Sequence, residues 1–179
     1  MRRLQRTIGM MALLLLGIGV AAAQAEPQFA GSWVLDRSQS QFPQHEGRGH
    51  RTPDAQVQPQ QPPQPPQVTL VVAQQGNTLK VTRTFAQGSR QRSMTDTIVA
   101  DGSDQTQQGY RGNVVTRSVF EGDRLVVTHT RTKKTDQGDQ TMSRQSVWTL
   151  SPDGRVLTID TTMHGPRGER AMKTVYQRS

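Results

Sequence analysis

From Val68 to the end of the chain, short runs rich in valine and threonine alternate with turns that contain glycine, aspartate or asparagine. VTLVVA, TLKVTRTF and RVLTIDTTM are examples of the runs, and QQGN, EGD and SPDG are examples of the turns. β-Branched side chains fit the pleated surface of a sheet, and runs of this length with short connections are typical of antiparallel strands. Because no part of 68–179 shows a helical period, the sequence predicts eight strands there and one before them.

A long open meander would leave an unpaired strand at each edge, which invites aggregation. Closing the sheet on itself removes those edges. We therefore predict an all-β fold, an antiparallel up-and-down meander closed into a barrel of about 8–9 strands. A barrel of this size has an interior just wide enough for side chains or for one small ligand.

The predicted first strand, within 26–40, contains Gly31 and Trp33 in a short apolar patch. We expect the indole ring to plug one end of the barrel. Gly31-Ser32-Trp33, with Leu35 after it, resembles the G-x-W start of the lipocalin and fatty-acid-binding-protein superfamily, and the opening resembles that of small exported bacterial lipocalin-like proteins of unassigned activity. The C-terminal VYQR, with Tyr176, is similar to the end of fatty-acid-binding proteins. The resemblance implies a lipocalin-like barrel that binds a ligand and is not an enzyme.

The chain departs from that pattern in its last strand. The last strand of fatty-acid-binding proteins carries R-x-Y, and Thr174 stands at the arginine position. In lipocalins a late arginine stacks on the G-x-W tryptophan, a cation–π contact that closes the barrel end. Arg170, Lys173 and Arg178 are all candidates for that role here.

Residues 41–67 interrupt the strand pattern with a segment dominated by proline and glutamine. It has almost no apolar side chain to bury, so it cannot offset the entropy of ordering. We predict a disordered, solvated surface loop with polyproline character between the first strand and the meander of 68–179. Such a loop is either a tolerated insertion, because closure entropy rises slowly with length, or a docking segment for an aromatic groove.

The N-terminus has the features of a cleavable signal peptide over residues 1–25. Three arginines precede an apolar run that is too short to span a bilayer comfortably, and Ala23-Gln24-Ala25 offers a small-x-small cleavage site. We therefore expect a periplasmic or secreted protein without membrane insertion. With no cysteine in the chain, neither a disulfide nor a lipidated cysteine is available.

Composition and motifs exclude several classes of function. Removing the three N-terminal arginines lowers the formal net charge from +8 to +5, the remaining basic residues are scattered, and aromatic residues are few, so nucleic-acid binding is not expected. No serine-hydrolase, cysteine-nucleophile or phosphate-loop motif is present. His45 and His50 flank a glutamate in the loop but lack a second rigid pair of ligands, so we predict no metal, no cofactor and no catalytic residue.

Period-two alternation places basic or imidazole groups among apolar neighbours on three strands. An arginine in such a lumen can grip an acidic head group through two hydrogen bonds, and a tyrosine hydroxyl can add a third. The alternative is that these long side chains lie near strand ends, where their heads reach water. The candidate ligand-binding residues are Arg83, His129, Arg144, Trp148 and Tyr176.

Two functions follow from these patterns. The first is an exported, non-enzymatic, lipocalin-like protein that binds a small hydrophobic or amphipathic ligand with an acidic head. The second is a filled barrel that acts as an envelope interaction module and contacts an anionic polymer or a protein partner through its outer surface.

Overall fold

A computed structural model describes residues 27–43, 65–109, 112–136, 138–166 and 168–179. Within these ranges there is no helix, and hence none long and apolar enough to cross a membrane. The predicted signal peptide and most of the proline- and glutamine-rich loop lie outside the described residues. The strands are β1 (Gly31–Gln41), β2 (Gln67–Gln75), β3 (Thr78–Gln87), β4 (Arg90–Val99), β5 (Asp101–Gly109), β6 (Gly112–Glu121), β7 (Arg124–Thr135), β8 (Gly138–Leu150), β9 (Val156–Gly165) and β10 (Gly168–Arg178).

The ten strands form one antiparallel sheet in the order β4-β3-β2-β1-β10-β9-β8-β7-β6-β5. Every strand pairs with its neighbour in sequence except β4 with β5, and the last strand pairs with the first. The meander therefore curls into a nearly closed barrel, with β4 and β5 as its two unpaired edges. Ala100 joins these edges, and its amide donates to the Asn77 carbonyl at 2.7 Å. The prediction of a meander barrel is confirmed, but the predicted removal of both edges is wrong.

The structure has ten strands rather than the predicted 8–9, because β5 is a strand that its own sequence does not indicate. Its sequence, DGSDQTQQG, has no apolar residue and no β-branched run. β5 nevertheless pairs with β6, in register from Asp104↔Arg117 to Gly109↔Gly112. Pairing with a well-formed neighbour strand outweighs its weak intrinsic preference for the extended state.

Hydrophobic side chains concentrate in one half of the barrel, which we call the closed half. Its largest fully buried side chains come from several strands and from the segment before β1. The Phe29 ring packs face to face with Phe120 and edge-on against Trp148, with ring centroids 6.5 and 6.0 Å apart. Two-residue hairpins cap it, as at Gly76-Asn77, where glycine supplies the positive φ of 55°. The fully buried set is Trp33, Phe29, Leu70, Leu79, Leu125 and Leu157.

Trp33 lies at the base of the closed half and is fully buried. Its indole Nε1–H donates to the Phe29 carbonyl at 3.1 Å. The Arg178 guanidinium stacks on the ring, 4.3 Å from its centroid, and is held by the Gly154 and Ala30 carbonyls at 2.8 and 3.0 Å. Of the three late basic residues considered from the sequence, Arg178 is therefore the one that covers Trp33.

Gly31 makes this stack sterically feasible. Its φ is 146°, and a Cβ at this position would collide with the Arg178 guanidinium. The glycine of the G-x-W element thus leaves room for the cation that covers the tryptophan.

The other half of each strand forms what we call the open half. Alternation continues there, but the inward positions become polar or flexible. On β7, buried Leu125 and Val127 are followed on the same face by His129 and Arg131. On β8, buried Trp148 and Ser146 share a face with Arg144 and Met142.

Candidate ligand-binding site

Strand register brings four inward side chains of the open half into one row. His129 on β7 is paired with Arg144 on β8, Arg144 with Met163 on β9, and Met163 with Arg170 on β10. Neighbouring strands lie about 4.8 Å apart, so consecutive members of the row are in side-chain reach of each other. The row contains an imidazole, two guanidiniums and one thioether, with Met163 between the two arginines.

This row lines a cavity of about 700 Å³. That volume falls within the roughly 300–1,000 Å³ of ordinary small-molecule sites. The wall of this cavity includes His129, Arg131, Met142, Arg144, Met163 and Arg170.

The cations of the open half perturb each other electrostatically. Burial lowers the pKa of Arg144, and the nearby Arg83 guanidinium lowers it further, while the Asp96 carboxylate opposes both. Burial also raises the pKa of Tyr176, with Arg83 opposing this rise. Arg144 therefore interacts electrostatically with Arg83 and Asp96, and Tyr176 interacts with Arg83, although these four residues belong to four strands.

His129 is fixed in this cluster by a hydrogen bond between its Nδ1 and the Thr116 hydroxyl at 2.9 Å. Burial lowers the pKa of His129, Arg144 lowers it further, and Asp96 raises it. The imidazole is therefore biased toward its neutral form near pH 7, in which one ring nitrogen has a free lone pair.

All four methionines of the described residues sit on inward-facing positions of this half. Met94 is paired with Arg83, and Met142 with Arg131. Met163 is half-buried and lies on the same face of β9 as Ile159. Met172 lies on the same face of β10 as Thr174 and Tyr176. Met94 and Met142 retain 38% and 39% exposure, so they present thioether surface to the lumen mouth. Methionine is flexible and polarisable, which suits irregular apolar ligands.

Of the five predicted ligand-binding residues, His129 and Arg144 line the cavity. Arg83 interacts electrostatically with Arg144 and Tyr176 but does not line the cavity, and Tyr176 is 4% exposed and belongs to the hydrophobic core. The fifth, Trp148, is 4% exposed and packs in the closed half against Phe29. It forms part of the floor beneath the cluster rather than part of the cavity wall.

The sequence pattern places Met142, Met163 and Met172 on inward faces without naming them as ligand-binding residues, and it does not single out Asp96 or Met94. Asp96 alternates with Ile98 and Met94 on β4, so its inward face could have been read from period two. Its role could not, because Asp96 acts on charges carried by β7 and β8, far away in sequence.

A second cavity, of about 440 Å³, opens on the outside where β1 leaves β2. β1 pairs with β2 only over Gly31–Val34, and its register with β10 shifts between Asp36 and Gln41. The Asp36 carboxylate stabilises this irregularity by accepting hydrogen bonds from Ser38 and Gln39, and the hydrogen bond from the Ser38 side chain is the main cause of its lowered pKa. The hydrogen bonds of the Asp36 carboxylate thus serve to stabilise this irregularity of β1.

No cluster of three or more histidine, cysteine, aspartate or glutamate residues suited to a bare metal ion occurs among the residues that the structure describes. The nearest approach is on the outer face, where His164 lies 3.3 Å from Glu169 across the β9–β10 pair.

Comparison with known proteins places the fold. No protein-family model and no curated protein matches the sequence. Among solved structures, a mutant of the fluorescent protein UnaG is similar over 84% of this chain and 96% of its own, at 15% identity and a TM-score of 0.50. Zebrafish ileal bile acid-binding protein complexed with cholic acid is 14% identical over 84% and 98% of the two chains, with a TM-score of 0.49. Human cRBP IV is 13% identical over 85% and 98%, with a TM-score of 0.48. The ten-stranded meander therefore shares its fold with the UnaG mutant, and the likeness is one of fold alone.

Proposed function

We propose that this protein is a non-enzymatic, lipocalin-like binding protein that holds a small amphipathic acid in the open half of its barrel. One observation carries the proposal. The inward face of this half presents Arg83, Arg131, Arg144 and Arg170 against a single carboxylate, Asp96. None of these four guanidiniums forms an ion pair within the described part of the chain.

Unpaired guanidiniums in a concave wall have a clear chemical use. Desolvating a cation costs free energy unless an anion compensates it, and Arg144 already shows the effect as a lowered pKa. A carboxylate bound by the planar fork of arginine would repay that cost through charge-assisted hydrogen bonds. Arg83, Arg144 and the Tyr176 hydroxyl form the proposed head-group subsite.

The apolar body of the ligand would lie against the thioethers of the cavity wall, above the packed floor of the closed half. The floor contains Trp148, Leu125 and Ile159, which are 5% exposed or less. Because those side chains fill the lower lumen, the ligand occupies the upper half only.

The signal-like segment 1–25 supports an exported location, periplasmic or secreted, for this binding activity. The proposed role is then capture or carriage of an acidic amphiphile outside the cytoplasm.

A fluorescent fatty-acid probe tests the proposal. We expect saturable binding, and we expect the double substitution Arg83→Met with Arg144→Met to weaken it about 10- to 100-fold, equivalent to one or two charged hydrogen bonds. Methionine keeps most of the side-chain volume and removes only the charge.

Arg117→Met is the matched control, because Arg117 lies on the outer face of β6 beside Asp104 and is exposed. It should bind the probe as the unmodified protein does. If the unmodified protein shows no saturable binding, the carrier function is wrong, and the filled-barrel interaction module becomes the better account.

A further inference from the structure

His129 is the one histidine of the described residues on the inward face of the open half, and its two ring nitrogens have different surroundings. Nδ1 is engaged by the Thr116 hydroxyl. Nε2 has no hydrogen-bond partner among the described residues. Every buried side-chain nitrogen or oxygen of those residues has a partner, so Nε2 is accessible rather than buried. Nε2 therefore opens onto the cavity that His129 lines.

This is the arrangement of a metal-ligating histidine. When Nδ1–H donates to the Thr116 hydroxyl oxygen, this hydrogen bond orients the ring and leaves the Nε2 lone pair free to ligate.

A single histidine cannot hold a bare transition-metal ion, and no multi-residue cluster accompanies it in the described part of the chain. It can hold a metal that already has four equatorial ligands. A metalloporphyrin brings such ligands in its ring nitrogens and asks the protein for an axial group, for which histidine is a standard choice.

The rest of the wall suits the periphery of such a ring. Arg131 lies two residues beyond His129 on β7 and Arg170 lies at the β10 end of the row; both line the cavity, and neither forms an ion pair with a described carboxylate. Two arginines set apart match a ligand with two separate carboxylates. Met142 and Met163 lie between them, and thioether sulfur packs favourably on aromatic rings.

We infer that the cavity binds an iron porphyrin dicarboxylate of the haem type, with His129 Nε2 as the axial ligand of the iron and arginines of the wall on its two carboxylates. This inference rests on the proposed binding function and specifies its ligand class.

The first experiment titrates the purified chain with ferric haem and records the Soret band. The unmodified protein should give a saturable shift to a histidine-ligated spectrum. His129→Ala should lose that spectrum and bind more than about tenfold more weakly, and added imidazole should restore the spectrum. Thr116→Val, which removes only the hydrogen bond to Nδ1, should weaken binding about tenfold.

Arg117→Met is the control, because Arg117 is exposed on the outer face of β6 and does not line the cavity. It should bind haem as the unmodified protein does. An unshifted Soret band in the unmodified protein, or the same ligated spectrum in His129→Ala without imidazole, overturns the assignment.

The second experiment compares haem with its dimethyl ester. The unmodified protein should prefer the diacid, and Arg131→Met with Arg170→Met should lose the preference while keeping the histidine-ligated spectrum. Equal affinity of the unmodified protein for diacid and ester would overturn the role of the arginines.

The fatty-acid probe separates the two proposals. If the probe binds saturably and haem does not, the haem inference fails and the general binding function stands. If neither binds, both fail.

Discussion

The closed and open halves of the barrel are made of the same strands but stabilised by different means. β8 shows the contrast within one element: its first residues, from Gly138, are mostly exposed, whereas Ser146 and Trp148 near its end are buried. In the closed half, apolar side chains and the Arg178–Trp33 stack hold the strands in register. In the open half, the inward guanidiniums of Arg83, Arg131, Arg144 and Arg170 form no ion pair with a carboxylate of the described residues. The comparison teaches that a packed half can fix the sheet well enough for the other half to keep an unfavourable but useful arrangement of charges.

The largest expected effect is at the base of the closed half. Trp33→Ala should lower the free energy of unfolding by about 3–5 kcal/mol, because it removes a fully buried ring and the surface on which Arg178 stacks. Urea denaturation followed by circular dichroism measures the change. A loss below about 1 kcal/mol would mean that the closed half does not carry the stability of the barrel.

The next effect concerns the glycine that admits Arg178. Gly31→Ala should cost about 2–4 kcal/mol, the sum of backbone strain at φ 146° and the displaced cation–π contact. Gly88→Ala is the control, since Gly88 also has a positive φ, but a Cβ added there would have no atom within 4 Å. If the two substitutions cost the same, space for Arg178 is not what selects glycine at position 31.

In the open half the sign should differ. Arg144→Met should leave the free energy of unfolding unchanged or raise it by up to about 1 kcal/mol, because it replaces a partly desolvated, unpaired cation with an apolar side chain of similar volume. The same urea assay checks this. A loss of more than about 2 kcal/mol would show that Arg144 is a structural residue and would weaken its assignment to ligand binding.

The smallest expected effect is a pH dependence from His129. Its pKa in the folded state lies below the ordinary value of 6.5, so between these two values the unfolded chain binds more protons. The stability contributed by His129 is therefore complete above pH 6.5 and falls as the pH drops toward the folded-state pKa. The groups that face His129 are Arg144, Arg131, Thr116 and Asp96.

Thermal midpoints between pH 5 and 7.5 should fall with decreasing pH in the unmodified protein and less steeply in His129→Gln. Parallel curves for His129→Gln and the unmodified protein would show that the open half does not disfavour the imidazolium.

Part of the site was readable from the chain because period two is a local property. Arg83, His129 and Arg144 each follow apolar residues at even spacing, which identifies the inward face without knowledge of the partner strand. Depth along the barrel was not readable in the same way. Trp148 shares a face with Arg144, but it lies in the packed half, and only the closure of the sheet against Phe29 shows this.

The sequence by itself determined the alternation of each strand, the glycine-bearing hairpins and the pairing of Gly31 with Trp33, since these depend on residues close together in the chain. The tertiary structure decided that β5 is a strand, that Arg178 covers Trp33, and that Asp96 faces the cations of β7 and β8. Those outcomes depend on which strands meet when the sheet curls. The physical reason is that contacts between residues far apart in the chain exist only once strand register and closure bring them together.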